Sequence, residues 1–241
     1  MNPLINKDIY VTDLGSIDFK EAWDYQTALF EKVLAVKNEN RSLPVHEQKK
    51  TDNFLLFCQH PHVYTLGKSG KEDHLLLKRE DLSAVNASYY QINRGGDITY
   101  HGPGQLVGYL IIDLENFFTD IHQYMRFLEE AIIQTLREFG IEAGRIKGLT
   151  GVWIDFEKNP RKICAFGVKT SRWVTMHGFA LNVSPDLSYF NHIIPCGIQD
   201  KAVTSLQAEL GRAVEMNEVQ EILQDKLTTL FEMNLKIHHD S

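Results

Sequence analysis

Cys196 stands in the stretch IIPCGI, between Pro195 and Gly197. Proline fixes one φ and glycine frees the next, so a thiol between them can be presented with backbone N–H groups turned toward the same point, as a nucleophile with an oxyanion hole requires. The other two cysteines, Cys58 in LLFCQ and Cys164 in KICAF, lie in apolar runs where buried, inert thiols belong. A free thiol has a pKa of about 8.5 and needs a neighbour to become a thiolate. His60, His62, His101, His177, His192 and Lys162 are the candidates, and spacing does not choose among them. A histidine would make a protease-like pair; a lysine would make an ion pair that later frees an amine able to accept a proton.

A second concentration of chemistry is RGGDITYHGPGQLVGYL, Arg94 to Leu110, with five glycines around Arg94, Thr99, Tyr100 and His101. Its glycines allow close backbone approach to a bound group, while the polar side chains exceed what a plain turn needs. It is neither a Walker loop nor a strand-linked G-x-G-x-x-G, so no cradle for ATP or a dinucleotide is offered. His60 and His62, two apart across a proline, do not match a zinc spacing, and no metal is expected.

These groups must be carried by a packed domain. With 241 residues, 43% hydrophobic and 24% charged, the chain reads as one globular domain over residues 1–241. The start lacks a signal-peptide pattern and no apolar run approaches a membrane span, so a cytoplasmic protein without membrane contact is expected. A net charge of -7 argues against general nucleic-acid binding. Arg145 to Arg172 nevertheless holds seven basic residues against two acidic ones, which suits an acidic partner or a solvated face.

Helical spacing predicts amphipathic helices over about 18–37, capped by Asp18, over 119–139, capped by Asp120 and ended by Gly140, and near 215–232. Residues 37–52 read as a surface loop, and the HHD near the end as a frayed terminus. Strand patterns fall on NFLLFCQ, SYYQINR, QLVGYLIIDL and GVWIDF, and on KICAFGVKT and WVTMHGFALNV, a hairpin joined by a short SR step. Strands in the middle with helices at either end predict an α+β fold, a mixed sheet with flanking helices.

RGGDITYHGPGQLVGY resembles the signature of lipoyl(octanoyl) transferases. HPHVYTLGKSG, GLTGVWID, KICAFGVKTSRWVTMHGFALNV, and IIPCGI followed by TSL agree with that family in order, from Phe54 to Leu206. The resemblance implies a catalytic domain similar to lipoate and biotin protein ligases and a Cys/Lys dyad of Cys196 and Lys162. It implies acyl-binding positions at Arg94, Gly95, Gly96, Asp97, Ile98, Thr99, Tyr100 and His101, at Ala165, Phe166 and Gly167, and at Gly178, Phe179 and Ala180. It also implies ping-pong transfer of an octanoyl group from octanoyl-acyl carrier protein to lipoyl domains of 2-oxoacid dehydrogenases and the glycine cleavage H protein, with no cofactor. A lipoate-protein ligase or a lipoyl amidotransferase of the same fold is the alternative.

Overall fold

The computed structural model describes residues 4–194 and 202–237. Pro195, Cys196 and Gly197 lie outside them, as do the two histidines and Asp240 of the terminal HHD. The main sheet runs β12 (Asn234–Ile237), β1 (Asp8–Ser16), β2 (Phe54–Gln59), β6 (Gln105–Ile111), β10 (Val174–Asn182), β9 (Arg161–Ser171), β8 (Leu149–Ile154) and β7 (Ala143–Ile146). A short β11 (Ala202–Val203) pairs with the start of β9. The pairings of β1 with β12 and β2 are parallel, and those from β2 through β7 are antiparallel. A second sheet has the order β4 (Ser88–Gln91), β3 (Val63–Leu66), β5 (Ile98–His101).

Both faces of the main sheet are covered. Leu55, Phe57, Leu106 and Leu110 pack toward α2 (Ile121–Glu138) and α4 (Met216–Phe231), while Phe54, Leu56, Val107, Tyr109 and Ile111 pack toward α1 (Phe19–Asn40). That is why β2 and β6 read as unbroken apolar runs rather than alternating ones. The expected mixed sheet with flanking helices is the fold observed.

Asp18 and Asp120 do cap their helices, taking N–H bonds from Lys20 and from His122 and Gln123. Helix α1 runs to Asn40, so only the later part of the expected 37–52 loop is loop, with one 3-10 turn at Val45–Glu47. The β9–β10 hairpin turns at Arg172-Trp173 rather than at Ser171-Arg172. Both turn residues have positive φ, 50° and 66°, and Ser171 pairs with Val174. A two-residue turn of that hand follows the twist of the strands, and the pairing leaves Ser171 on the ladder.

The basic stretch from Arg145 to Arg172 does not form one patch. Arg145 is bonded to Glu129 and Glu130, Arg161 to Glu209, and Lys169 lies 4.9 Å from the centre of the Phe30 ring. Lys169 and Arg172 sit at the end of the hairpin opposite Lys162.

Candidate active site

A cavity of about 550 Å³ lies over the middle of β9 and β10. The glycine-rich loop reaches it because the small sheet docks there: Gly95 N–H donates to Val168 O at 3.1 Å, and Arg94 lies across Gly167. A methyl group added to Gly167 would come within 2.6 Å of the Arg94 side chain, and one added to Gly178 within 2.2 Å of Gly108 O. Glycine is required at both positions by close approach.

Of the expected acyl-binding residues, Arg94, Gly95, Gly96, Asp97, Ile98, Thr99, His101, Ala165, Phe166, Gly167, Gly178, Phe179 and Ala180 all line this cavity, as does Lys162. Tyr100 does not. On a strand, neighbours face opposite ways, and Tyr100 points into the cluster under the small sheet with Tyr64, Leu66 and Ile193, its hydroxyl 2.8 Å from His62 Nδ1.

Arg94 is held by its own loop and by β3. Its guanidinium donates to Gly95 O, Thr65 O and Asp97 O at 2.8, 3.2 and 2.8 Å. Asp97 in turn takes the Ile98 N–H and faces His74 Nδ1 at 2.5 Å. These bonds shape the loop as a wall.

Lys162 stands at the opposite end of the cavity, its Nζ 4.7 Å from the centre of the Trp153 ring. Strand β11, which follows the segment containing Cys196, is registered with Val203 opposite Lys162, and both Ala202 and Val203 line the cavity. Before that segment, Ile194 N–H donates to His74 O, and Phe190 lines the cavity.

The described thiols and the histidines are placed differently. Burial pushes the Cys58 and Cys164 thiols far up, so both stay protonated. His60 donates from Nδ1 to Ile17 O at 2.8 Å, which leaves Nε2 to accept the Tyr109 hydroxyl at 2.7 Å behind the cavity wall. His62 is stacked on Tyr189, and His192 is bonded to the Tyr64 hydroxyl. His101 and His177 reach the cavity, but burial, helped by other cationic groups nearby, lowers each to about 3. They are neutral imidazoles at physiological pH.

Lining residues that the motif reading did not single out are Phe19, Tyr109, Met125, Leu149 and Trp153, which come from α1, β6, α2 and β8. Tyr109, Leu149 and Trp153 lie inside the quoted motifs RGGDITYHGPGQLVGY and GLTGVWID, while Phe19 and Met125 carry no signal beyond an apolar helix face, which looks the same in any core residue.

Residues 18–228 match the model of the lipoyl protein ligase A/B catalytic domain. An octanoyltransferase of Cytophaga hutchinsonii is 62% identical over 98% of each chain. In fold, the chain is similar to a bi-partite lipoate protein ligase from Thermoplasma acidophilum, described with its E2 lipoyl domain in a structural analysis of an archaeal lipoylation system. There the TM-score is 0.64 at 16% identity, over 98% of this chain and 88% of that one. A biotin protein ligase from Aquifex aeolicus is more distant, with a TM-score of 0.51 at 14% identity over 92% of this chain and 70% of that one. With the family model spanning most of the chain and a relative this similar over its full length, the chain belongs to the octanoyltransferases of the lipoyl protein ligase A/B family.

Proposed function

We propose that the chain moves an octanoyl group from octanoyl-acyl carrier protein to a lysine of a lipoyl domain through a thioester on Cys196. The observation that carries this reading is the cavity. It is mostly apolar, it follows β9 and β10 from Lys162 to Val168, and exposed Gly148, Thr150 and Ala202 form its mouth at the Lys162 end.

Lys162, as an ammonium, stabilises the Cys196 thiolate, which attacks the carrier thioester; the carrier thiolate leaves and takes a proton from Lys162. The octanoyl group is now on Cys196 and Lys162 is a neutral amine. A neutral acceptor lysine attacks the new thioester, Cys196 leaves as thiolate, and Lys162 takes the proton released as the amide forms. One thioester replaces another and an amide ends the sequence, so the reaction needs no ATP. The backbone N–H of Cys196 or Gly197 serves the oxyanion.

Several observations support the assignment. Cys58 and Cys164 are protonated and buried, the cavity cations among the described residues are Arg94 and Lys162, and Arg94 is bonded to the carbonyls of Gly95 and Asp97 in its own loop and of Thr65 in β3. The T. acidophilum neighbour belongs to a lipoylation system that includes an E2 lipoyl domain, which supports a lipoyl domain as acceptor.

The test is intact-protein mass spectrometry after mixing with octanoyl-acyl carrier protein and no ATP. The parent gains one octanoyl mass that an apo lipoyl domain removes, Cys196→Ala gains none, and Lys162→Ala acylates at least a hundredfold more slowly, the size of a lost acid–base group. Modification of the lipoyl domain only when ATP and free octanoate are supplied would show a ligase instead.

A further inference from the structure

Two walls of the cavity come from segments far apart in sequence. One is the loop of Arg94, Gly95, Gly96 and Asp97; the other is the 3-10 turn Leu187–His192, from which Phe190 reaches the cavity. They share an apolar cluster in which Ile98, next to Asp97, and Ile193, just after the turn, pack with Tyr64, Leu66 and Tyr100. Apolar packing brings the walls together but is not directional, so it sets no fixed spacing between them. The directional bonds converge on a short 3-10 turn of the small-sheet region, Glu72–His74.

His74 is bonded to both walls. Its carbonyl accepts the Ile194 N–H at 2.8 Å, the Leu76 N–H donates to His192 O at 2.8 Å, and Leu75 is bridged to Ile193 between them. Residues 74–76 are thereby fastened to the end of the segment that carries Phe190. The ring of His74 reaches the other wall: its Nδ1 lies 2.5 Å from Asp97 Oδ2 and donates to it, since a carboxylate oxygen accepts. The second Asp97 oxygen takes the Ile98 N–H at 2.7 Å, and the Asp97 carbonyl accepts from the Arg94 guanidinium at 2.8 Å. Asp97 is 8% exposed, so its carboxylate has little water to turn to when the ring is removed. Any shift of Asp97 is passed to Arg94, whose side chain lies across Gly167 on the cavity floor.

We propose that His74 is a positioning residue of the acyl cavity, its ring tying the Arg94 loop to the Phe190 segment so that both walls are in place before the acyl group arrives. This rests on reading the cavity as the acyl site. A wall already in place does not have to be ordered on binding, and that saving appears as affinity. The test is calorimetric titration of octanoic acid into the parent and into His74→Ala, His74→Asn and His74→Gln. Alanine cuts only the tie to the loop, because the backbone bonds to Ile194 and His192 remain. Asparagine sets an N–H near the place of Nδ1 and glutamine sets one a bond farther out, which separates the bond from the mere presence of a side chain. With the folded fraction read from urea unfolding, octanoic acid binds folded His74→Ala about fivefold or more weakly than the parent, and His74→Asn within about twofold of it. A residue serving stability alone would move the unfolding midpoint and leave the affinity of the folded molecules as it was. Equal affinity in the folded alanine variant and the parent overturns the proposal, and so does an asparagine variant as weak as the alanine one. If the alanine variant does not fold, the glutamine variant takes its place in the comparison with asparagine. A parent that binds no octanoic acid overturns the acyl reading of the cavity and the role of His74 with it. Binding in the parent without formation of an acyl-enzyme counts against the transfer mechanism alone, and the variants still decide what His74 does.

Discussion

His101 and His177 reach the cavity wall uncharged, and this has a cost at low pH. Burial is the main cause, followed by His60 and Arg94 for His101 and by Arg94 and Lys169 for His177, and each ring is lowered to about 3 from 6.5. Between those values the unfolded chain binds protons that the folded chain does not. Stability therefore rises with pH across this window and is lost as pH falls from about 6.5 toward 3. Each ring contributes up to about 1.4 kcal/mol per pH unit there. Urea unfolding from pH 6 down to 4.5 is expected to show a shallower slope in His177→Gly than in the parent, by close to one proton. An identical slope would mean that His177 takes up its proton in the folded state. The sequence offers His177 only as one of several candidate histidines and does not single it out, because the feature that sets it apart is a backbone angle and a wall of groups drawn from α1, β5 and β6.

Among the elements, the mouth of the cavity depends on how α2 grips the β7–β8 hairpin. Glu129, buried in α2, accepts bonds from Arg126 and Arg145, the latter reaching over from β7, and from the Gly151 N–H of β8. Arg145 also holds Glu130, against the tendency of burial to raise that carboxyl. Arg145→Ala is expected to cost about 2 kcal/mol in urea unfolding, below the range for a fully buried pair because Arg145 is partly exposed and Arg126 remains. A loss under half a kcal/mol would mean that Arg126 alone satisfies Glu129. The sequence made the long helices and the central strands readable, since α2 carries a clean apolar stripe and β2 and β6 are buried on both sides. It did not reveal β11 or β12, two and four residues long, whose identity comes from the strands they lie against. The loop of Arg94 was legible as something special from its glycines. Arg94's own bonds were not, because its acceptor Thr65 belongs to β3, far away in sequence.

At the scale of the whole molecule, the net charge of -7 opposes an acidic carrier protein, so any attraction has to be local. Lys147, exposed in the turn between β7 and β8, adjoins Gly148 and Leu149 at the mouth, whereas Lys169 and Arg172 lie at the far end of the β9–β10 hairpin. Lys147→Glu is expected to raise KM for the carrier substrate about threefold or more at low salt, an effect that fades as salt is added. Reversing Lys169 and Arg172 together is expected to leave KM unchanged. The opposite pattern would move the docking face to the hairpin tip. The run of basic residues was visible in the sequence, but its division between two ends of the molecule was not, since that follows from the direction in which β9 crosses the sheet. The same crossing sets Gly178 opposite Gly167 on adjacent strands, both lining the cavity, while the Phe179 ring covers Gly108 on the next strand. On the proposed reading a visiting acyl chain covers the backbone at Gly167 and Gly178 that a side chain would cover elsewhere, so their amides are expected to exchange hydrogens faster between turnovers than with the chain bound.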